Sequence, residues 1–143
     1  MKREIKFKAK RLDGKGWVEG SLIRSTTGIK ERAYIVDNFS SMSDYSVIGV
    51  DPSTVCQFTG LKDCEGKEVW EGDILQDVDY YYIKYVVIFG EGTFLARKEG
   101  HYTGIPLHEC IGDSGNVTYA KLDYYWFNIL YYTNVYFKTY MGR

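Results

Sequence analysis

Hydrophobic and polar residues alternate from the start of the chain. Ile5, Phe7 and Ala9 are interleaved with Lys6, Lys8 and Lys10, the period-two pattern that sends each set to one face of a half-buried strand. Asp13-Gly14 is a two-residue type I′ turn signal. Turning there opposes Ile5 to Leu22, Phe7 to Gly20 and Ala9 to Val18 on one face, and Lys8 to Glu19 and Lys10 to Trp17 on the other. The pattern predicts a hairpin over residues 4–12 and 17–23 with a lysine-rich outer face.

Short strands are expected at Ala33 to Val36 and Tyr45 to Val50, separated by the Ser/Asn/Asp cluster Asp37 to Asp44. Pro52 suits the opening of a single helical turn. The next stretch, Val55 to Leu75, is the most informative. Asp63-Cys64-Glu65-Gly66 separates two strand-like runs, and Gly66 takes a left-handed backbone without a Cβ penalty. The resulting register opposes Asp63 to Lys67, Lys62 to Glu68, Leu61 to Val69 and Gly60 to Trp70. Each cross-strand pair contributes about 0.2–1 kcal/mol, and a one-residue slip loses them together. Gly72 then permits a bend, the Asp73 carboxylate is placed to accept from nearby amides, and Ile74-Leu75 begins a further strand.

Tyr81 to Phe89 is apolar on both faces apart from Lys84, as in a strand covered on both sides at the centre of a sheet. Gly90-Glu91-Gly92 turns it, and Thr93 to Arg97 returns. Ile105 to Cys110 reads as a further strand, Gly112 to Asn116 as a linker, and Leu122 to Tyr140 as strands rather than helix, because β-formers dominate.

The segments QFTGLKDCEGKEVWEGDIL, VDPSTV just before it, and IKFKAKRLDGKGWVEGSLI resemble the YopX family, small proteins encoded by bacteriophages and prophages. The similarity covers roughly the first half of the chain, in the order the family shows. Cys56 stands where many relatives have glycine, and the tyrosine-rich C-terminal region lacks the usual family ending. The resemblance implies a fold and a phage setting. It implies no catalytic residues.

Composition narrows the remaining choices. A chain of 143 residues buries about 68% of its unfolded surface, enough for a real core. Aromatic residues make 17% of it and only two prolines occur, again favouring strands. The expected fold is mainly β: two small β units sharing one core, with an SH3-like barrel around residues 55–97. Residues 1–54 form the N-terminal hairpin region and 55–143 a barrel-like region with an aromatic C-terminal segment, in one compact domain overall.

Three cysteines without C-x-x-C spacing, and no secretory or membrane-spanning segment, point to free thiols in the cytoplasm of a bacterial host. Charge is uneven. Residues 1–32 hold ten Lys/Arg against four Asp/Glu, and the remainder eight against fifteen, so one basic and one acidic surface are expected.

Candidate chemistry is sparse. His101, His108, Cys110, Cys56 and Cys64 are potential metal ligands, but only His108 and Cys110 approach the tight pairing a zinc site wants, so no metal is expected. Glu68, Glu71 and Asp73 with His101 or His108 are the acid–base candidates, yet these carboxylates already suit pairing and turn-shaping roles. No phosphate loop, dinucleotide fingerprint or HExxH motif occurs. Neither cofactor nor catalytic site is expected. Lys6, Lys8, Lys10 and Arg11 with Trp17 form a basic strip holding an aromatic ring, the combination that single-strand binders use; alternating lysines also keep an exposed strand soluble. The expectation is a non-enzymatic protein acting by protein binding or self-association, with nucleic-acid binding through the N-terminal hairpin as the alternative. No membrane partner is expected.

Overall fold

The computed structural model describes residues 4–37 and 43–122. Contacts divide the chain into two compact units, residues 1–60 and 61–143.

In the first unit, β1 (Phe7–Lys10), β2 (Trp17–Ser25), β3 (Arg32–Asp37) and β4 (Ser46–Val50) are followed by a single 3-10 turn, Pro52–Thr54, and by β5 (Cys56–Lys62). All pairings are antiparallel, and the strand order is β4-β3-β2-β1-β5. Alternation sets this register: Phe7 faces Gly20, Lys8 faces Glu19, Ala9 faces Val18 and Lys10 faces Trp17, as the side-chain pattern demands. Ala9, Val18, Ala33, Ile35 and Val50 form the core, with Phe7, Leu22, Ile48 and Val55 packed on it. Gly20 is required by space, since a Cβ there would lie 2.0 Å from the Val36 carbonyl oxygen.

Two expectations for the hairpin need correction. Asp13-Gly14 is not a type I′ turn: Gly14 and Gly16 have positive φ but Asp13 does not. The Arg11 N–H donates to the Gly16 carbonyl at 2.9 Å, leaving a longer loop braced by the Asp13 carboxylate on the Lys15 N–H at 3.0 Å. The lysine face is also less open than alternation suggests. β1 lies between β2 and β5, with Lys8 opposite Cys56, and Lys8 is only 8% exposed. A strand paired on both sides has no free edge for lysines to protect.

Asp51 caps the 3-10 turn, its carboxylate accepting from the Ser53 N–H at 3.0 Å and the Ser53 hydroxyl at 2.7 Å. The buried Thr54 hydroxyl accepts from the Lys10 N–H at 2.9 Å, tying the turn to β1. The Arg11–Val50 bridge links the end of β1 to β4.

β5 continues past Gly60 into the second unit and neighbours β6 (Glu68–Trp70). At its start, β5 pairs with β1 through Cys56 and Gln57. β7 (Ile74–Gln76), β8 (Lys84–Gly90), β9 (Thr93–Lys98), β10 (Ile105–Pro106) and β11 (Ala120–Lys121) form the order β10-β9-β8-β7-β11. Val69, Leu75, Val87, Phe94, Ala96, Leu107, Cys110 and Val117 make its core.

At the central hairpin Asp63 donates its N–H to the Lys67 carbonyl at 2.7 Å and Gly66 turns back onto Asp63 at 3.0 Å, with Gly66 at φ 84°. The expected tip is present. Glu91 and Gly92 have φ 52° and 79°, and Gly90 faces Thr93, which is the two-residue primed turn that suits strand twist.

β8 is central as expected, but it starts at Lys84 and only Val87 is fully buried along it. Residues Leu107–Cys110 are a 3-10 turn rather than strand, since Pro106 ends β10 and removes a ladder donor. Gly112 to Asn116 is a tight turn rather than a linker: Gly112 donates to the Asn116 carbonyl at 2.9 Å, and Ile111 bridges Val117. The strands expected over Leu122 to Tyr140 lie outside the described residues, except that the Leu122 N–H donates to Ile74 at 3.0 Å. The described protein is therefore mainly β, with two antiparallel sheets whose strand orders do not close into a barrel.

Candidate binding surfaces

The basic strip sits on β1 and its neighbours. Alternation puts Lys6, Lys8 and Lys10 on one face, and pairing brings Trp17 of β2 beside them. The Lys8 and Lys10 ammonium groups each lie 6.0 Å from the Trp17 ring centroid, the outer range for a cation–π contact. Lys6 lies 4.7 Å over the Phe58 ring and 3.3 Å from the Glu4 carboxylate. Arg11 turns away from this group and grips Asp13 at 2.6 Å. That hydrogen bond raises the Arg11 pKa and lowers that of Asp13. The structure thus gathers Lys8, Lys10 and Trp17, places Lys6 on a different ring, and matches Arg11 with an acid.

A second cluster lies in the residues 61–143 unit. Asp63 is fully buried at 0% exposure. Its carboxylate accepts from the backbone N–H groups of Glu65 at 2.9 Å, Lys67 at 2.8 Å and Lys121 at 2.7 Å. Asp73, 2% exposed, accepts from the Trp70 N–H at 2.7 Å and from the Lys121 ammonium at 3.2 Å, while that ammonium also donates to the Glu68 carbonyl at 3.2 Å. Donors thus surround both carboxylates. This cluster organises the fold. Local sequence pairs Asp63 with Lys67 at a hairpin tip, and the fold adds the Lys121 N–H from 58 residues away.

The remaining reactive groups are dispersed. Cys56 and Cys110 are buried and Cys64 is exposed. The Cys64 thiol is pushed up by desolvation and then by Asp63 and Glu65, and burial raises Cys110. His101 follows β9 in an exposed loop and His108 is exposed on the Leu107–Cys110 turn. Among the described residues no group of three or more His, Cys, Asp or Glu is placed to hold a metal. Tyr119 stacks on Tyr85 with centroids 4.8 Å apart, and burial, followed by its bond with Tyr85, drives its phenol well above the ordinary value.

A further surface is one that local periodicity does not predict. Tyr80, Tyr81 and Tyr82 project from the loop between β7 and β8, with Tyr81 75% exposed. The loop is braced: the Asp77 carboxylate accepts from the N–H groups of Asp79 at 2.9 Å and Tyr80 at 3.0 Å. Asp77 and Ile83 close its base at 3.1 Å, Ile83 donates to Tyr80 at 2.7 Å, and the Gln76 amide donates to the Tyr81 carbonyl. Edge-to-face contacts join Tyr82 to Tyr80 at 6.0 Å and to Tyr81 at 6.1 Å. The legible signal was Asp77, an acid two and three residues ahead of the amides it binds; continuous apolar character drew Tyr81 and Tyr82 into the strand instead.

No helix among the described residues is long and apolar enough to cross a membrane. No curated protein matches the chain. It is similar to protein EF1440 from Enterococcus faecalis, a crystal structure, with a TM-score of 0.47 and 19% identity over 85% of this chain and 92% of that one. Residues 6–129 match the family model described as YopX protein. With the match extending over most of its length, the chain belongs to the YopX family.

Proposed function

We propose that this chain is a non-enzymatic accessory protein of a phage or prophage setting, working in the bacterial cytoplasm by binding protein through the Tyr80-Tyr81-Tyr82 loop. That loop carries the reading. Tyrosines supply large amphipathic contact area at low entropic cost and are enriched at protein interfaces. A loop already held by hydrogen bonds at Asp77, Gln76 and Ile83 loses little further freedom on docking.

The test is a photo-crosslinking amino acid at position 81 in host cells, with position 98, on β9, as control. A protein adduct specific to position 81 is expected. Equal labelling at both positions, or none, overturns the reading.

The alternative is nucleic-acid binding, favoured by two lysines at 6.0 Å from one indole ring. Titration with labelled single- and double-stranded DNA and RNA tests it. Binding that ignores Lys6→Glu, Lys8→Glu and Lys10→Glu together removes it.

A further inference from the structure

We propose that the Tyr80–Tyr82 loop is the seat for a second copy of this chain, entered by the loop between β2 and β3. This rests on the protein-binding reading above and names its partner. The entering loop, residues 26–31, carries Ile29, which is fully exposed, with exposed Lys30 next to it and exposed Arg32 at the start of β3. Glu31 is held by Arg24 at 2.9 Å, so the charge this loop presents outward is positive.

The seat has the complementary chemistry. Val78 and the tyrosine rings are exposed, giving apolar faces for an isoleucine and π-surfaces for cations. Asp77 spends its carboxylate on the loop's own backbone. The exposed Asp79 side chain has no ion pair or hydrogen bond among the described residues, so its charge is available to Lys30 and Arg32 of an incoming copy.

Charge over the whole chain points the same way. Residues 1–60 carry ten Lys/Arg against seven Asp/Glu, and residues 61–143 carry eight against twelve, a difference of +3 against −4. Two copies meeting through unlike units attract one another and two meeting through like units do not. Each copy holds one entering loop and one seat, so the contact is heterologous, and it either closes into a ring or extends.

The experiment is light scattering behind size exclusion on the full chain, with circular dichroism to confirm folding of each variant. Wild type is expected to self-associate below about 300 micromolar and to weaken several-fold as salt rises from about 50 to about 500 mM. Asp79→Lys alone, and Lys30→Glu with Arg32→Glu, should each weaken association by about tenfold. Mixing these two variants restores it, because each seat then meets a loop of opposite sign. Tyr80→Ser, Tyr81→Ser and Tyr82→Ser together should abolish it.

A monomeric wild type, variants that associate like wild type, or a mixture that fails to recover overturns the proposal. The crosslink at position 81 separates the two claims. An adduct with a different protein leaves protein binding standing while the second-copy assignment falls.

Discussion

Lys121 holds two buried carboxylates at once. Its ammonium lies 3.2 Å from Asp73, and its backbone N–H donates to Asp63 at 2.7 Å, 58 residues away in sequence. A two-residue strand, β11, is thereby fastened to both the hairpin tip and the bend after β6.

Removing the ammonium takes from the buried Asp73 the ion pair it makes at 3.2 Å. Lys121→Met is expected to destabilise the protein by about 3 kcal/mol, the usual cost of breaking a buried pair on one side. Asp63→Ala should cost at least as much, since it strands backbone N–H groups at about 1–3 kcal/mol each. Urea denaturation measures both. A Lys121→Met midpoint equal to wild type would show that Asp73 does not need the ammonium.

Two glycines should respond differently to alanine. Gly66 has open space around it and a φ of 84°, so Gly66→Ala carries only the left-handed backbone cost of about 1–2 kcal/mol. Gly20→Ala drives a methyl into the Val36 carbonyl, and β2 must separate from β3 to admit it. Thermal melts should rank Gly20→Ala well below Gly66→Ala; the reverse order would contradict the close packing of these strands.

Alkaline stability should follow Tyr119. Burial, followed by the Tyr85 bond, raises its folded pKa above the ordinary 10.0, so the folded state favours the neutral phenol. Its contribution is fully present below pH 10 and declines as pH rises from there toward the folded pKa. The raised Cys64 and Cys110 thiols act with the same sign from their ordinary value of 9.0 upward. Denaturation midpoints measured from pH 8 to about pH 11 should fall, and Tyr119→Phe should flatten the decline above pH 10. An unchanged slope in Tyr119→Phe assigns the loss to other groups.

Thiol labelling gives a further check. With Cys56 and Cys110 buried and Cys64 exposed, a thiol reagent should modify one equivalent on the native protein and three after denaturation. Labelling of Cys64 should also be slow near neutral pH, because its thiolate is disfavoured. Two fast equivalents in the native state would place a second thiol at the surface.

Local order was legible wherever a short period and a turn residue agreed. Alternation over Ile5 to Lys10 determined the β1–β2 register, Gly66 determined the hairpin tip, and Pro52 marked a helical turn. These outcomes depend on neighbours a few residues apart, whose geometry the backbone dictates. Asp13-Gly14 and Leu107 to Cys110 depart from the local pattern because a tertiary partner or a proline decides the backbone there: Val50 bridges Arg11, and Pro106 ends the strand that Ile105 begins.

Only the folded chain could decide what each face meets. Alternation separated the lysines from the core residues, but pairing of β1 with β5 is what buries Lys8, and the arrival of residue 121 is what makes Asp63 a hub. The apolar run from Tyr81 to Phe89 likewise promised burial, yet Asp77 binds the amides of Asp79 and Tyr80 and turns three rings outward. Sequence period determines which side chains share a side of a strand. Burial depends on long-range pairing, and no local pattern encodes the distance between residues 63 and 121.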